Sequence, residues 1–230
     1  MKKTLFLWLF TSISTFSIAQ IGITAGYTSM EAEDWEFEFQ QEFGLENQLF
    51  ASGTRVGVNY WLRLKKVRIE FFPSIEYANY ATQIGDALSV NQTDYDADLL
   101  GGFLHTRIYP FDFANDCNCP TFSKQNEAFK KGFFLMLSPG VEALKTTVTR
   151  RRGNEVTAFS NSELKASFGG GIGFDIGVSD FVTLTPIIHT RYTPNVDGDH
   201  LMTDKAIGDD FSDVFQFFGG INIGLRFNKY

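Results

Sequence analysis

The stretch Phe215–Phe227 reads FQFFGGINIGLRF, and its periodicity decides the fold. Phe215, Phe217, Gly219, Ile221, Ile223, Leu225 and Phe227 occupy one parity, while Gln216, Phe218, Gly220, Asn222, Gly224 and Arg226 occupy the other. A period of two is a β-strand with one apolar and one polar face. The segment is longer than most soluble strands and exceeds the roughly nine to eleven residues that a tilted strand needs to cross a bilayer.

The same alternation recurs along the chain. Ile21, Ile23, Ala25 and Tyr27 interleave with Gly22, Thr24 and Gly26. Val56, Val58, Tyr60, Leu62 and Leu64 interleave with Arg55, Gly57, Asn59 and Arg63. Further segments start near Val67, Leu100, Phe133, Leu164 and Val182, with Phe103 interrupting the polar face of its strand. No helical period competes over any length, although Glu31–Gln48 is a candidate for a short helix. Eight antiparallel strands predict an all-β, up-and-down transmembrane β-barrel, because closure removes the edges that hydrocarbon forbids.

A soluble barrel of lipocalin type has the same strand count but turns its apolar face inward. Volume argues against it here, since an eight-stranded barrel barely accommodates its interior side chains and the apolar faces carry bulky ones. The opposite faces carry Gly22, Gly26, Gly57, Gly101, Gly140, Gly169, Gly171, Gly173, Gly220 and Gly224, which suit a crowded lumen. The 25 Phe and 21 Gly of the chain then separate largely into a lipid face and a lumen face. The expected lumen holds Arg55, Arg63, Arg68, Arg107, Lys165, Arg191 and Arg226 against Glu70, Glu76, Glu142, Glu163 and Asp175. Charges so enclosed must pair. They predict a structural network that plugs the barrel, with a narrow selective pore as the alternative. His105 and His189 face the same interior and read as hydrogen-bonded members of the plug. Outward Tyr27, Tyr77, Tyr192 and Phe215 are expected near one rim, and Tyr60 and Phe227 near the other, as aromatic girdles.

The N-terminus is an address. Lys2-Lys3, the apolar run Leu5–Phe10 and the small residues Ser17 and Ala19 have the layout of a secretory signal peptide cut before Gln20. Residues 1–19 are assigned to that leader and 20–230 to the barrel. Loss of Lys2 and Lys3 makes the net charge of −7 two units more negative. So acidic a chain argues against nucleic acid as a partner, and export argues against cytosolic cofactors; no cofactor is assigned. No apolar run reaches the length of a transmembrane helix.

Barrels of this kind have short periplasmic turns and long outer loops. The outer connections are expected at about 30–50, 81–95, 147–161 and 193–213. The inner ones are Lys65-Lys66, Ser179-Asp180 and, as a long exception, 112–131. The first and fourth outer loops are acidic and the third is basic at Arg150, Arg151 and Arg152, a pattern that reads as a solvated outer surface, with divalent-cation or partner binding by the acidic loops as the alternative. Cys117 and Cys119 lie in the long inner turn, where a tight bridge pinning the turn is one reading and a turn without a bridge is the other. Two local ligands are too few for zinc, so no metal site is assigned.

The lysine-led leader ending in Ile18-Ala19-Gln20, the opening Gly22–Gly26, the Cys117–Phe122 turn and the Gly-rich closing strand resemble small outer-membrane β-barrel proteins of Bacteroidetes-type bacteria, of the porin-family, OmpA-like or PorT-like kind. Asn222–Phe227 is similar to the signal read by the barrel-assembly machinery, departing from it at Lys229. The resemblance implies insertion into outer-membrane lipid by that machinery, without implying one activity. Lipid-modifying barrels need a nucleophile beside a base, and no His-x-Ser pair occurs, so no catalytic residue is assigned. The chain ends directly after the closing strand, so no appended peptidoglycan-binding domain is expected. What remains is a structural or interaction role in the envelope, alone or as an accessory subunit of a larger outer-membrane complex.

Overall fold

The computed structural model describes residues 20–37, 49–64, 67–84, 91–111, 132–153, 155–179, 181–198 and 211–226. The leader, Lys65-Lys66, the 112–131 turn with Cys117 and Cys119, and Phe227 lie outside the described residues, as does the side chain of Arg226. The strands are β1 (Gln20–Ala32), β2 (Phe50–Tyr60), β3 (Leu62–Arg63), β4 (Ile69–Ile84), β5 (Asn91–Ile108), β6 (Phe133–Arg152), β7 (Glu155–Phe174), β8 (Ile176–Gly177), β9 (Val182–Asp197) and β10 (Phe211–Arg226). The two-residue β3 continues β2 across Trp61, and β8 continues β7 across Asp175, so the chain forms eight staves. Each pairs antiparallel with its sequence neighbour, and β10 closes on β1 in register from Gln20↔Arg226 to Ala32↔Val214. The molecule is a closed eight-stranded antiparallel transmembrane barrel.

The alternation read from the sequence holds along the inner part of every stave. Ile21, Ile23, Tyr27, Val56, Ile75, Leu100, Leu104, Leu137, Val141, Phe168, Ile188, Phe217 and Ile223 stand exposed on the outside, while Arg55, Glu76, His105, Glu142 and Arg191 are buried within. The strands, however, run past the width of a bilayer. β6 and β7 are 20 residues each and β5 is 18. In these outer extensions the pattern inverts. Met30, Ala32, Phe50, Ala78, Tyr80, Tyr95, Leu99, Leu144, Val148, Val196 and Val214 point inward and form one apolar cluster with Trp35. On the outside at that level stand Ser29, Glu31, Asn79, Gln83, Asp94, Asp96, Asp98, Lys145 and Thr147. Side chains that must face water on the outside leave the apolar ones for the interior, as in a soluble barrel. The inversion therefore marks the outer edge of the hydrocarbon. The aromatics Tyr27, Tyr77, Tyr192 and Phe215 sit on that line, as a girdle should. Tyr77 donates to Asp98 at 2.5 Å and Tyr192 to Asp213 at 2.7 Å, each tying a ring at the interface to a carboxylate just above it.

Two expectations are corrected. The connection at 147–161 is not a loop: β6 and β7 are paired along their full length to Arg152↔Glu155, and the turn passes through Gly153 in the left-handed region (φ 62°). Strand also replaces part of the connection at 81–95, leaving 85–90 between β4 and β5; of the candidate helix within Glu31–Gln48 the described residues 33–37 are helical. Secondly, the lumen is not uniformly polar. Phe72, Phe103, Phe134 and Phe218 point into it, and so do Met136 and Ile187.

Glycine makes room for those rings. A Cβ at Gly173 would lie 2.3 Å from the Phe134 ring, one at Gly140 2.2 Å from Phe103, and one at Gly220 2.4 Å from Phe218. Phe103, Phe134 and Phe218 thus each lie over a glycine, so Phe and Gly are coupled inside the barrel as well as separated across its wall.

Candidate functional site

The lumen is filled in three tiers. The innermost lies at the end where β1 begins. The Tyr109 hydroxyl sits between two carboxylates, 2.9 Å from Glu70 and 2.6 Å from Asp175. Arg107 lies 3.4 Å from Asp175 and is held between the rings of Phe72 (3.8 Å) and Phe134 (4.5 Å). Thr185 donates to Asp175 at 2.7 Å, and Arg63 and Arg68 stand 3.9 and 4.0 Å from Glu70. Arg68 also covers the Tyr109 ring at 4.0 Å. A partly open pocket adjoins this tier, lined by Gln20, Asn59, Trp61, Arg107, Asp175 and Thr183 among others.

The middle tier is an ion-pair network that spans the barrel. Glu76 of β4 is its hub: Arg191 of β9 donates to it at 2.9 Å, His105 of β5 lies at 2.6 Å and Arg55 of β2 at 3.8 Å. Glu142 of β6 accepts from Thr193, from Gln216 at 2.8 Å, and lies 3.6 Å from Arg191. Arg55 donates in turn to Gln216, and at 3.4 Å to Thr28. His105 is bonded on its other nitrogen to Ser138 at 2.7 Å, so its orientation is fixed from two strands. Phe103 covers the Arg191 guanidinium at 3.4 Å, and His189 packs on Phe218 at 4.9 Å. The third tier is the apolar cluster, joined to the middle one where Tyr80 shares a hydrogen bond of 2.8 Å with Thr28.

The expected luminal residues thus fall into two groups. Arg55, Glu76, His105, Glu142, His189 and Arg191 meet in the middle tier, and Arg63, Arg68, Glu70, Arg107 and Asp175 in the innermost. Lys165 and Glu163 belong to neither: they pair with each other at 2.7 Å near the outer end of β7, partly exposed. A search for charges missed the neutral partners Thr28, Ser74, Ser138, Thr193 and Gln216. Their inward parity was the available signal. It would also have found Tyr109, which continues the series Phe103, His105, Arg107 just past the end of β5. Among the described residues no group of three or more His, Cys, Asp or Glu is placed to hold a metal ion.

No family model and no curated protein matches the chain. Solved structures do. Ail, the attachment invasion locus protein of Yersinia pestis, matches over 90% of this chain and 99% of its own at 12% identity and a TM-score of 0.50. Neisserial surface protein A matches over 91% and 97% at 12% identity, TM-score 0.44. The outer membrane protease OmpT from Escherichia coli matches over 92% and 97% at 6% identity, TM-score 0.47. At such identities the likeness speaks for the fold alone, that of the outer-membrane barrels.

Proposed function

We propose that the chain is an integral protein of a Gram-negative outer membrane whose sealed barrel serves as a structural or interaction component of the envelope, without catalysis and without passage of solute. The residues that resemble the PorT-like barrels of Bacteroidetes-type bacteria fit this reading, with residues 1–19 as the export leader, the barrel-assembly machinery as the inserting partner, and a larger outer-membrane complex as the setting. The observation that carries the reading is the filling of the lumen. A solute would have to part Arg191 from both Glu76 and Glu142, which leaves buried charges uncompensated, and then cross a dry apolar cap.

Reconstitution into planar bilayers tests it. Folded protein, verified by heat-modifiable gel migration, is expected to give no steady conductance steps. Reproducible single-channel steps would replace the sealed barrel with a selective pore.

A further inference from the structure

Among the described residues, the wall of the barrel lacks a ladder on one side of its outer extension. β7 pairs with β9 only from Phe168↔Tyr192 to Gly173↔Ile187. Beyond Phe168, residues Glu155–Ser167 keep β6 on one edge and have no ladder partner among the described residues on the other. The cause lies in β9. Pro194 has no N–H to offer, and Asn195 takes the left-handed conformation (φ 51°). There the register against β10 shifts, so that two residues oppose Asp213. Val196 is buried in the apolar cap, and Gly198 lies against the Trp35 ring. Inward-pointing side chains link β7 to this end of β9, Asn161 to Asp197 at 3.1 Å and Lys165 to the Asn195 carbonyl.

Exposed edges of this length are ordinarily guarded by charge, proline or a bulge. Here the run Val156–Ser162 carries no charge, no proline and no glycine. Val156 and Leu164 are 65% and 72% exposed on its outer face. We infer that the free edge of β7, Glu155–Lys165, takes up an extended segment of a partner polypeptide as an added strand at the outer surface. An unpaired row of backbone N–H and C=O groups over about 35 Å is complementary to another extended backbone, and neither a lipid nor a sugar can match its spacing.

The side chains specify the added strand further. Antiparallel pairing centred opposite Ser160 would set a basic residue against Glu155, apolar ones against Val156 and Leu164, and an acidic one against Lys165. The segment 155–166 itself satisfies that pattern, with Glu155 opposite Lys165 and Val156 opposite Leu164. A second copy in the same membrane cannot supply it. The twofold axis of such a pairing runs through the barrel wall, in the membrane plane, and would turn the second barrel upside down. The occupant is therefore a strand of another protein, and a free peptide is a fair probe of the edge. The inference rests on reading the chain as an interaction protein.

The test uses the full chain folded in bilayer nanodiscs, with heat-modifiable migration confirming the barrel independently of any binding. Amide hydrogen exchange is expected to find every second amide of Val156–Leu164 unprotected and the alternate ones, facing β6, protected. A synthetic peptide of residues 155–166 is expected to bind saturably and slow the unprotected set by about tenfold or more. A scrambled peptide is not. Adjacent amides point to opposite neighbours, so of Ala158→Pro and Phe159→Pro one is expected to weaken peptide binding about tenfold with the hairpin intact, and the other to open the β6–β7 hairpin. Protection of the whole segment before peptide is added would mean the chain covers its own edge and would overturn the inference. So would binding that ignores both prolines, equal binding of the scrambled peptide, or a dimer that the peptide dissociates. Loss of heat-modifiable migration in the unsubstituted protein would instead count against the barrel reading itself.

Discussion

At Gly173 the three atoms nearest to an added methyl group all belong to the Phe134 ring, at 2.3 to 3.0 Å. Gly173→Ala is therefore expected to destabilise the barrel by about 1–3 kcal/mol, the usual range for overpacking. Phe134→Leu should give back part of that loss, so the double variant falls short of the sum of the single ones. Gel-shift melting of the two single variants and the double measures the coupling, and strict additivity would dismiss the ring-over-glycine account. Arg191 is the opposite case, a side chain that cannot be removed quietly. It is 2% exposed and faces both Glu76 and Glu142. Arg191→Met leaves two buried carboxylates with only Arg55 and His105 near them, and a loss of about 3–5 kcal/mol is expected. Adding Glu142→Gln should recover stability, because it removes the carboxylate for which Arg191 was the ion-pair partner while keeping an acceptor for Thr193 and Gln216. Both residues were legible as luminal from parity alone. The partnership of Phe134 with Gly173 was not, because it spans β6 and β7 and depends on a register that only the closed barrel sets.

Along a single element the informative feature is a change of sign. β5 reads Asp94, Asp96, Asp98 and then Leu100 and Leu104 on its outer face, with Tyr95, Ala97 and Leu99 and then Gly101, His105 and Arg107 on the inner one. One strand thus carries two solvents on the same side. Period two was easy to recognise because it survives the inversion. The strand ends were misjudged because polar outward residues look like loop when only an apolar outward face is sought, which is why 147–161 read as a connection. The inversion makes a depth prediction. In a protein with Cys117 and Cys119 replaced by serine, Asp96→Cys should react with a membrane-impermeant maleimide in intact cells, and Val141→Cys should react only after detergent extraction. Equal reactivity at the two sites would erase the boundary drawn here. The acidic row also has its own electrostatic mark: partial burial and the neighbouring Asp94 and Asp98 push the Asp96 carboxyl above its ordinary range. The bulge in β9 shows the same dependence on context. Pro194-Asn195 is visible in the sequence as a break, but that its bulge falls where the β7–β9 ladder ends follows only from which neighbours those strands have.

For the whole molecule, the three tiers lie one behind another along the barrel axis, and seals in series fail only together. On the proposed reading the middle tier blocks by charge pairing and by the rings of Phe103 and Phe218, and the outer tier by the buried side chains of Phe50, Tyr80, Tyr95 and Trp35. Opening one leaves the other intact. A variant with Phe103→Gly, Arg191→Ser and Glu142→Ser, which empties the middle of the barrel without leaving Arg191 or Glu142 unpaired, should remain electrically silent in planar bilayers. A variant with Tyr80→Ser, Tyr95→Ser and Phe50→Ser, which wets the cap, should be silent as well. Their combination, if it still shows heat-modifiable migration, is expected to conduct, since the innermost tier borders an open pocket lined by Gln20, Asn59 and Trp61. Conductance from the cap variant alone would show that the ion pairs of Glu76 do not seal the lumen. Silence of the folded combination would place the decisive barrier in the innermost tier, between Arg107 and the rings of Phe72 and Phe134.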